Sequence, residues 1–201
     1  MTNPEQLSDE LRRGDGDFMR NRRGIIGLAM VASGSMALIA LYQTGILRRV
    51  PEPRWRLLDA EKINASPQAY RLLDVPDAIL GLGSYAATMG LAAMDGKDRH
   101  RTHPWIPIAL GAKVLFDAAN AGRLAIEEWT ENRAFCLWCL LAVAATFATV
   151  PLAYPEARAA LRARPRPPAP EGSLPESEWS ASPEGWRWRH GRSLRRLLRQ
   201  R

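Results

Sequence analysis

The chain has 201 residues, a length that suits one domain with tails. Apolar residues make up 46% of it, an ordinary share for a soluble protein, but they are concentrated in blocks between polar ends. The formal charge of +7 is also uneven, because the first 23 residues hold five arginines and the last 47 hold eleven. With only two cysteines, the chain is excluded from the disulfide-scaffold class.

The uncharged block at residues 24–45 is the strongest membrane signal in the sequence. A helix needs about 20 apolar residues to cross a bilayer, and this block is long enough to remain there as an anchor rather than a cleaved signal peptide. It follows a polar segment, residues 1–23. Its Gly27 and Gly34 are predicted to let a neighbouring helix approach closely.

Three further blocks complete a predicted bundle. The second block is short and rich in small residues, and its Gly83 and Gly90 are also expected at helix contacts. The third contains Lys113 and Asp117, which lie one helical turn apart and are expected to form a buried structural ion pair. The predicted fold class is all-α, an integral membrane four-helix bundle (residues 24–154) with polar, partly disordered termini; its helices cover residues 24–45, 78–94, 104–126 and 134–154.

The charge distribution predicts a multi-pass protein of the cell membrane with both termini in the cytoplasm. Basic residues cluster in residues 1–23, in the turn at 95–103 and in the tail at 155–201, whereas the loop at 127–133 carries three glutamates and one arginine. The loop at 46–76 is an exception, because it too is basic. This topology places the start of the fourth helix near the outer face.

The basic tail has two equally weighted interpretations. Residues 162–183 are predicted to be disordered because they are rich in Pro, Ser, Glu and Arg. Residues 186–201 either form a helix on anionic membrane lipid or remain a solvated tail. Nucleic-acid binding through the alternation of Arg and Trp is less favoured, since lipid contact is simpler for a tail at a membrane.

The chemistry of the sequence is concentrated in a CxxC motif, Cys136 and Cys139. In the first turn of a helix, free N–H groups and the helix dipole favour the thiolate, the form that exchanges with disulfides. Two alternatives remain open on the residues alone. The pair is redox-active, or it is two ordinary buried cysteines. A zinc site is disfavoured because His100 and His103 lie at the opposite end, so no metal is predicted.

The order of several motifs resembles the vitamin K epoxide reductase family. The CxxC opens the fourth helix and is followed by Leu140-Leu-Ala-Val-Ala-Ala. Upstream, the family's loop pattern resembles Ala60-Glu-Lys-Ile-Asn-Ala-Ser66, then Tyr70, Val75-Pro-Asp-Ala-Ile-Leu-Gly81 and Tyr85. The resemblance implies a four-helix membrane oxidoreductase that passes electrons between thiols and a quinone, either ubiquinone or menaquinone.

The same resemblance implies roles for individual residues. Cys139, deeper in the helix, would meet the quinone, and Cys136, nearer the surface, would exchange with an extracytoplasmic thioredoxin-like protein. Trp138, Tyr85 and Asn64 are candidates to contact the quinone, with Trp138 alternatively an interfacial anchor.

One departure from the family pattern affects the predicted function. Ala60 stands where the family has a loop cysteine, and the chain holds no cysteine beyond the CxxC pair. A partner would then reduce the pair directly, or the substrate differs, or the activity has been lost. The alternative function is therefore a non-catalytic membrane scaffold with a lipid-binding basic tail.

Overall fold

The structure is a computed structural model that describes residues 4–53, 55–70 and 74–163. Every regular element in these residues is helical, which confirms the all-α prediction. The elements in chain order are α1 (Pro4–Arg13), α2 (Asp17–Gln43), α3 (Ala60–Asn64), a 3₁₀ turn (Pro67–Tyr70), α4 (Asp77–Ala93), α5 (Arg99–Thr102), α6 (Trp105–Glu127), a π-helical turn (Glu128–Asn132) and α7 (Leu137–Arg162).

Four long helices pack around a common interior. Helix α2 packs along both α4 and α7, and α6 packs along α7 and less extensively on α4. Short elements connect them at the two ends, and the π-helical turn extends α6 toward α7. The cysteine pair lies at the end where α3 and the π-helical turn meet.

The observed bounds of α4 and α6 lie within one residue of the prediction, but α2 and α7 are longer. Helix α2 begins at Asp17 because the arginines before the apolar block continue the helix, and it ends just before Gly45, whose φ of +77° breaks it. Helix α7 continues through Pro151 and Pro155 to Arg162, past the predicted end at residue 154. The predictions made for the tail beyond residue 163 lie outside the described residues.

The long helices bury small side chains and expose large apolar ones. Ala32, Ala142 and Ala145 form a buried cluster, whereas Met30 and Phe116 are exposed, Phe116 by 71%. This distribution is typical of helices that face lipid. Among the described residues, two helices are long and apolar enough to cross a membrane, α2 from Phe18 and α7.

The glycines that allow close helix contact are not the predicted ones. A Cβ added at Gly111 would lie 2.9 Å from the Cβ of Ala157, so α6 and α7 approach closely there. The prediction was wrong for four glycines, which have open space where a side chain would be: Gly27, Gly34, Gly83 and Gly90. The spacing of these glycines does not determine how each helix is rotated about its axis. In the structure, the four positions face away from the neighbouring helices.

A buried charge cluster ties three segments together at the end opposite the cysteines. Arg22 of α2 and Arg99 of α5 both donate hydrogen bonds to the carboxylate of Glu156 on α7. All three residues are at most 3% exposed. The sequence analysis counted both arginines only toward the cytoplasmic charge and predicted no buried partner for them, because Glu156 lies beyond the predicted end of the fourth helix.

Candidate redox site

Cys136 and Cys139 form the first turn of α7. Cys136 is the N-cap residue in an extended conformation, and its Sγ accepts a hydrogen bond from the backbone N–H of Cys139 at 3.3 Å. The CxxC spacing brings the two side chains to the same end of the helix, and both are free cysteines. In the described residues, no group of three His, Cys, Asp or Glu side chains is arranged to hold a metal ion.

Asn64 connects the two sulfurs. Its Nδ2 donates to the Sγ of Cys136 at 3.4 Å and to the backbone oxygen of Ala60 at 2.8 Å. Its Oδ1 lies 3.9 Å from the Sγ of Cys139, within range of a thiol donor. The sulfur of Cys136 therefore receives two N–H donors at a helix N-terminus, an arrangement that favours a thiolate there.

A cover segment, residues 50–53 and 55–64, lies over Cys136. Leu58 and Phe135 form a single parallel bridge, with the backbone N–H of Phe135 donating to Leu57 at 2.8 Å. The carboxylate of Glu52 accepts from the backbone N–H of Leu137 at 3.4 Å. Cys136 is consequently 0% exposed. Cys136 lies one turn nearer the end of the bundle than Cys139, but this long-range packing covers it.

Ala60 lies in the same buried cluster as Cys136 and is itself fully buried. The residue at the position expected for a loop cysteine thus lies beside the cysteine pair, but its methyl group offers no thiol. Trp138 packs against this cluster, and its indole N–H donates to the backbone oxygen of Pro51 at 2.9 Å. Trp138 therefore attaches the cover segment to the start of α7.

A cavity of about 440 Å³ opens beside Cys139 between the four long helices. Asn64 and Tyr85 line it, whereas Trp138 does not. The remaining lining combines apolar side chains with polar and charged ones. The apolar ones include Met36, Ile39, Leu80, Phe116 and Val143, and the polar ones include Asp77, Ser84, Asp117, Asn120 and Arg123. Of the residues predicted to contact a quinone, two thus meet Cys139 around a single space.

Glu128 lies beside the cysteine pair and lines the same cavity, and the sequence did not single it out. It is the first residue of the π-helical turn, and its Oε2 accepts the backbone N–H of Cys136 at 3.3 Å. Burial raises the pKa of Glu128 to about 7, against the opposing effect of its hydrogen bond from the backbone of Cys136 and of the nearby Cys139 thiol. The sequence predicted only a polar loop here. It could not indicate that Glu128 reaches the cysteines, because that position depends on the geometry of the π-helical turn.

Lys113 and Asp117 form the predicted one-turn ion pair, at 2.5 Å. The Nζ of Lys113 also donates to the hydroxyls of Ser84 and Thr88, each at 2.9 Å, and Ser84 donates to Asp117 at 3.1 Å. The ammonium thus has three protein acceptors. This supports the structural interpretation of the pair, with Asp117 and Ser84 presenting oxygen atoms to the cavity wall.

Comparison with known proteins identifies the family. A family model described as the vitamin K epoxide reductase family matches residues 24–154, a segment that contains both cysteines and most of the four long helices. No curated protein and no solved structure matches the chain. Because the match covers well over half of the sequence, the chain belongs to the vitamin K epoxide reductase family, whose members are in general membrane thiol–disulfide oxidoreductases.

Proposed function

We propose that this protein passes electrons between dithiols and a quinone through Cys136 and Cys139. The observation that carries the proposal is the position of Cys139 on the wall of a cavity of about 440 Å³. Small-molecule sites usually measure about 300–1,000 Å³ and combine apolar walls with a few polar groups. A quinone ring fits that description, and ubiquinone and menaquinone are both candidates.

The redox step balances within the pair and the quinone. The two thiols lose two electrons and two protons, an S–S bond forms between Cys136 and Cys139, and the quinone becomes a hydroquinone. A dithiol outside the membrane then reduces the pair and becomes a disulfide itself. A thioredoxin-like protein of the extracytoplasmic side is the proposed source of that dithiol.

We assign the two cysteines different partners. Cys139 faces the cavity and would meet the quinone, with Asn64 and Tyr85 as polar contacts. Cys136 would exchange with the dithiol partner, and its burial requires the cover segment to move first. Trp138 acts in this scheme through its hydrogen bond to Pro51 rather than by stacking on the quinone.

The proposed membrane arrangement has all four long helices crossing the bilayer. Exposed apolar side chains on α6, such as Phe116 and Ile126, support a lipid-facing surface beyond α2 and α7. The ionisable groups of α6 at that depth are paired inside the bundle, as Lys113 and Asp117 illustrate. Both termini would lie in the cytoplasm and the CxxC near the outer face, in accord with the distribution of arginines.

The direct test is quinone reduction in membranes that contain Cys139→Ser. With dithiothreitol as donor and a short-chain benzoquinone as acceptor, the wild-type protein should turn over, and both Cys139→Ser and Cys136→Ser should lose at least about 100-fold of the rate, as expected when a nucleophile is removed. Thiol trapping in intact cells should find the wild-type pair cycling between disulfide and dithiol. Unchanged turnover in Cys139→Ser would contradict the proposal and favour the scaffold alternative.

A further inference from the structure

Glu128 is a carboxylic acid beside the reacting cysteines. Its Oε2 accepts the backbone N–H of Cys136 at 3.3 Å, and its side chain lines the same cavity as Cys139, whose thiol is close enough to influence the pKa of the carboxyl group. One side chain therefore contacts the N-cap of α7 and shares with Cys139 the wall of the space proposed for the quinone. The structural role of capping requires only the first of these contacts.

We propose that Glu128 is the general acid–base of the redox step, exchanging a proton between the Cys139 thiol and an oxygen of the bound quinone. The proposal rests on the proposed function and adds to it the group that moves the proton. In the direction of dithiol oxidation, the carboxylate takes the proton as the S–H bond of Cys139 breaks. It then gives that proton to the quinone oxygen and is a carboxylate again.

The remaining proton and electrons are accounted for by the pair. The second proton leaves Cys136 when its thiol ionises, before the S–S bond forms, and the other quinone oxygen takes up one proton from water that reaches the cavity. The two electrons that leave the sulfurs reduce the quinone to the hydroquinone. In the opposite direction, protonated Glu128 returns its proton to the sulfur of Cys139 as the disulfide opens, and the hydroquinone is oxidised.

The charged groups around Glu128 are compatible with proton exchange near neutral pH. Asp77 of α4 lies close enough to oppose ionisation of Glu128, and burial opposes it more strongly, giving a pKa of about 7. The cations of neighbouring elements have other partners. Lys62 of α3 donates to the backbone of Asn132 in the same π-helical turn, and Arg123 of α6 pairs with Glu127. A general acid–base works best when its pKa lies near the operating pH.

The variant that isolates this role is Glu128→Gln. The glutamine oxygen can still accept the N–H of Cys136, so the start of α7 should fold, but the amide cannot carry a proton. The matched control is Glu131→Gln, which removes an exposed carboxylate from the same π-helical turn outside the cavity lining. Glu128→Asp keeps a carboxyl group and serves as the conservative variant.

The measurement is dithiothreitol-dependent quinone reduction in membranes from about pH 5.5 to 9, together with the rate at which N-ethylmaleimide alkylates Cys139. Wild type and Glu131→Gln should share a rise in kcat centred near pH 7. Glu128→Gln should lose that rise and about 100-fold of kcat at pH 8, the usual contribution of a positioned acid–base. Glu128→Asp should recover part of the rate and show the pH-dependent rise again.

The outcomes separate this inference from the proposed function. If Cys139→Ser is inactive while Glu128→Gln keeps the wild-type kcat and pH profile, the acid–base role is wrong and the redox function stands. If Cys139→Ser is active, the redox function itself fails. A Glu128→Gln protein that is slow at every pH but keeps the wild-type rise near pH 7 would show a positional effect only and would also overturn the proposal.

Discussion

Replacing Glu156 with glutamine should destabilise the helical bundle strongly, without touching the cysteine site. Arg22 donates through Nε to both carboxylate oxygens of Glu156, at 3.1 and 3.2 Å. Arg99 donates through Nε and Nη2, each at 2.8 Å. The two guanidiniums are 1% and 0% exposed, so the carboxylate is the counter-ion for two charges that water does not reach. Glutamine removes that negative charge and one acceptor oxygen.

The size of the effect follows from the burial. Removing one partner of a buried ion pair costs about 3–5 kcal/mol, because a charge is left uncompensated in the interior. The remaining hydrogen bonds of the arginines to backbone oxygens, such as Arg22 to Gly96 at 3.0 Å and Arg99 to Met94 at 2.8 Å, keep the guanidiniums inside rather than releasing them. For a chain of this size, each kcal/mol corresponds to about 2–4 °C in Tm. We therefore expect Glu156→Gln to lower Tm by about 10 °C.

The assay is thermal unfolding in detergent, with Glu127→Gln as the matched control. Glu127 pairs with Arg123 at 2.7 Å, but the side chain of Arg123 is 58% exposed. Such surface pairs contribute only about 0–1 kcal/mol, so this control should shift Tm by no more than about 3 °C. If the Tm values of Glu156→Gln and Glu127→Gln lie within about 2 °C of each other, the two variants differ by no more than roughly 1 kcal/mol in stability. That result would refute the inference that the buried cluster dominates.

Two further predictions concern stability. Because the pKa of Glu128 is raised from 4.5 to about 7, folding favours its protonated form, and stability is lost as pH rises through that interval. At pH 8, Glu128→Gln should thus be more stable than wild type by up to about 3 kcal/mol, since each unit of pKa shift corresponds to about 1.36 kcal/mol. At pH 4 the two proteins should be equally stable. A Tm difference that does not change with pH would contradict this prediction. Gly111→Ala should lower the detergent Tm, because its Cβ would lie 2.9 Å from that of Ala157, at a cost of about 1–3 kcal/mol. Gly83→Ala, with open space around it, should not, and equal shifts would show that the close approach is unimportant.

The parts of the fold that the sequence predicted depend on local information. A predominantly apolar block of sufficient length becomes a helix because its backbone hydrogen bonds are satisfied within the segment. For this reason α4 and α6 were placed to within one residue. The Lys113–Asp117 pair was predictable for the same reason, since its partners are one turn apart on a single helix. The CxxC position at the start of α7 likewise follows from where the apolar block begins.

The parts that the sequence did not predict join residues far apart in the chain. Asn64 reaches Cys136 across 72 residues, and Arg22 reaches Glu156 across 134. Neither pairing leaves a trace in spacing or composition. Residue pattern also does not determine how far a helix is rotated about its axis, which is why the glycines at close contacts were misassigned. The contribution of Glu128 depends on a π-helical turn, and no simple sequence rule marks such turns.

On the proposed function, the burial of Cys136 constrains how electrons reach the pair. In a family member with a loop cysteine, a thiol on the cover could reach the pair without exposing it, but the buried methyl of Ala60 cannot do so. An external dithiol must therefore contact Cys136 itself, which requires the Leu58–Phe135 bridge and the Trp138–Pro51 hydrogen bond to separate. Cys139, by contrast, already faces its cavity. The quinone side of the reaction is thus preformed, whereas the thiol side depends on a conformational change.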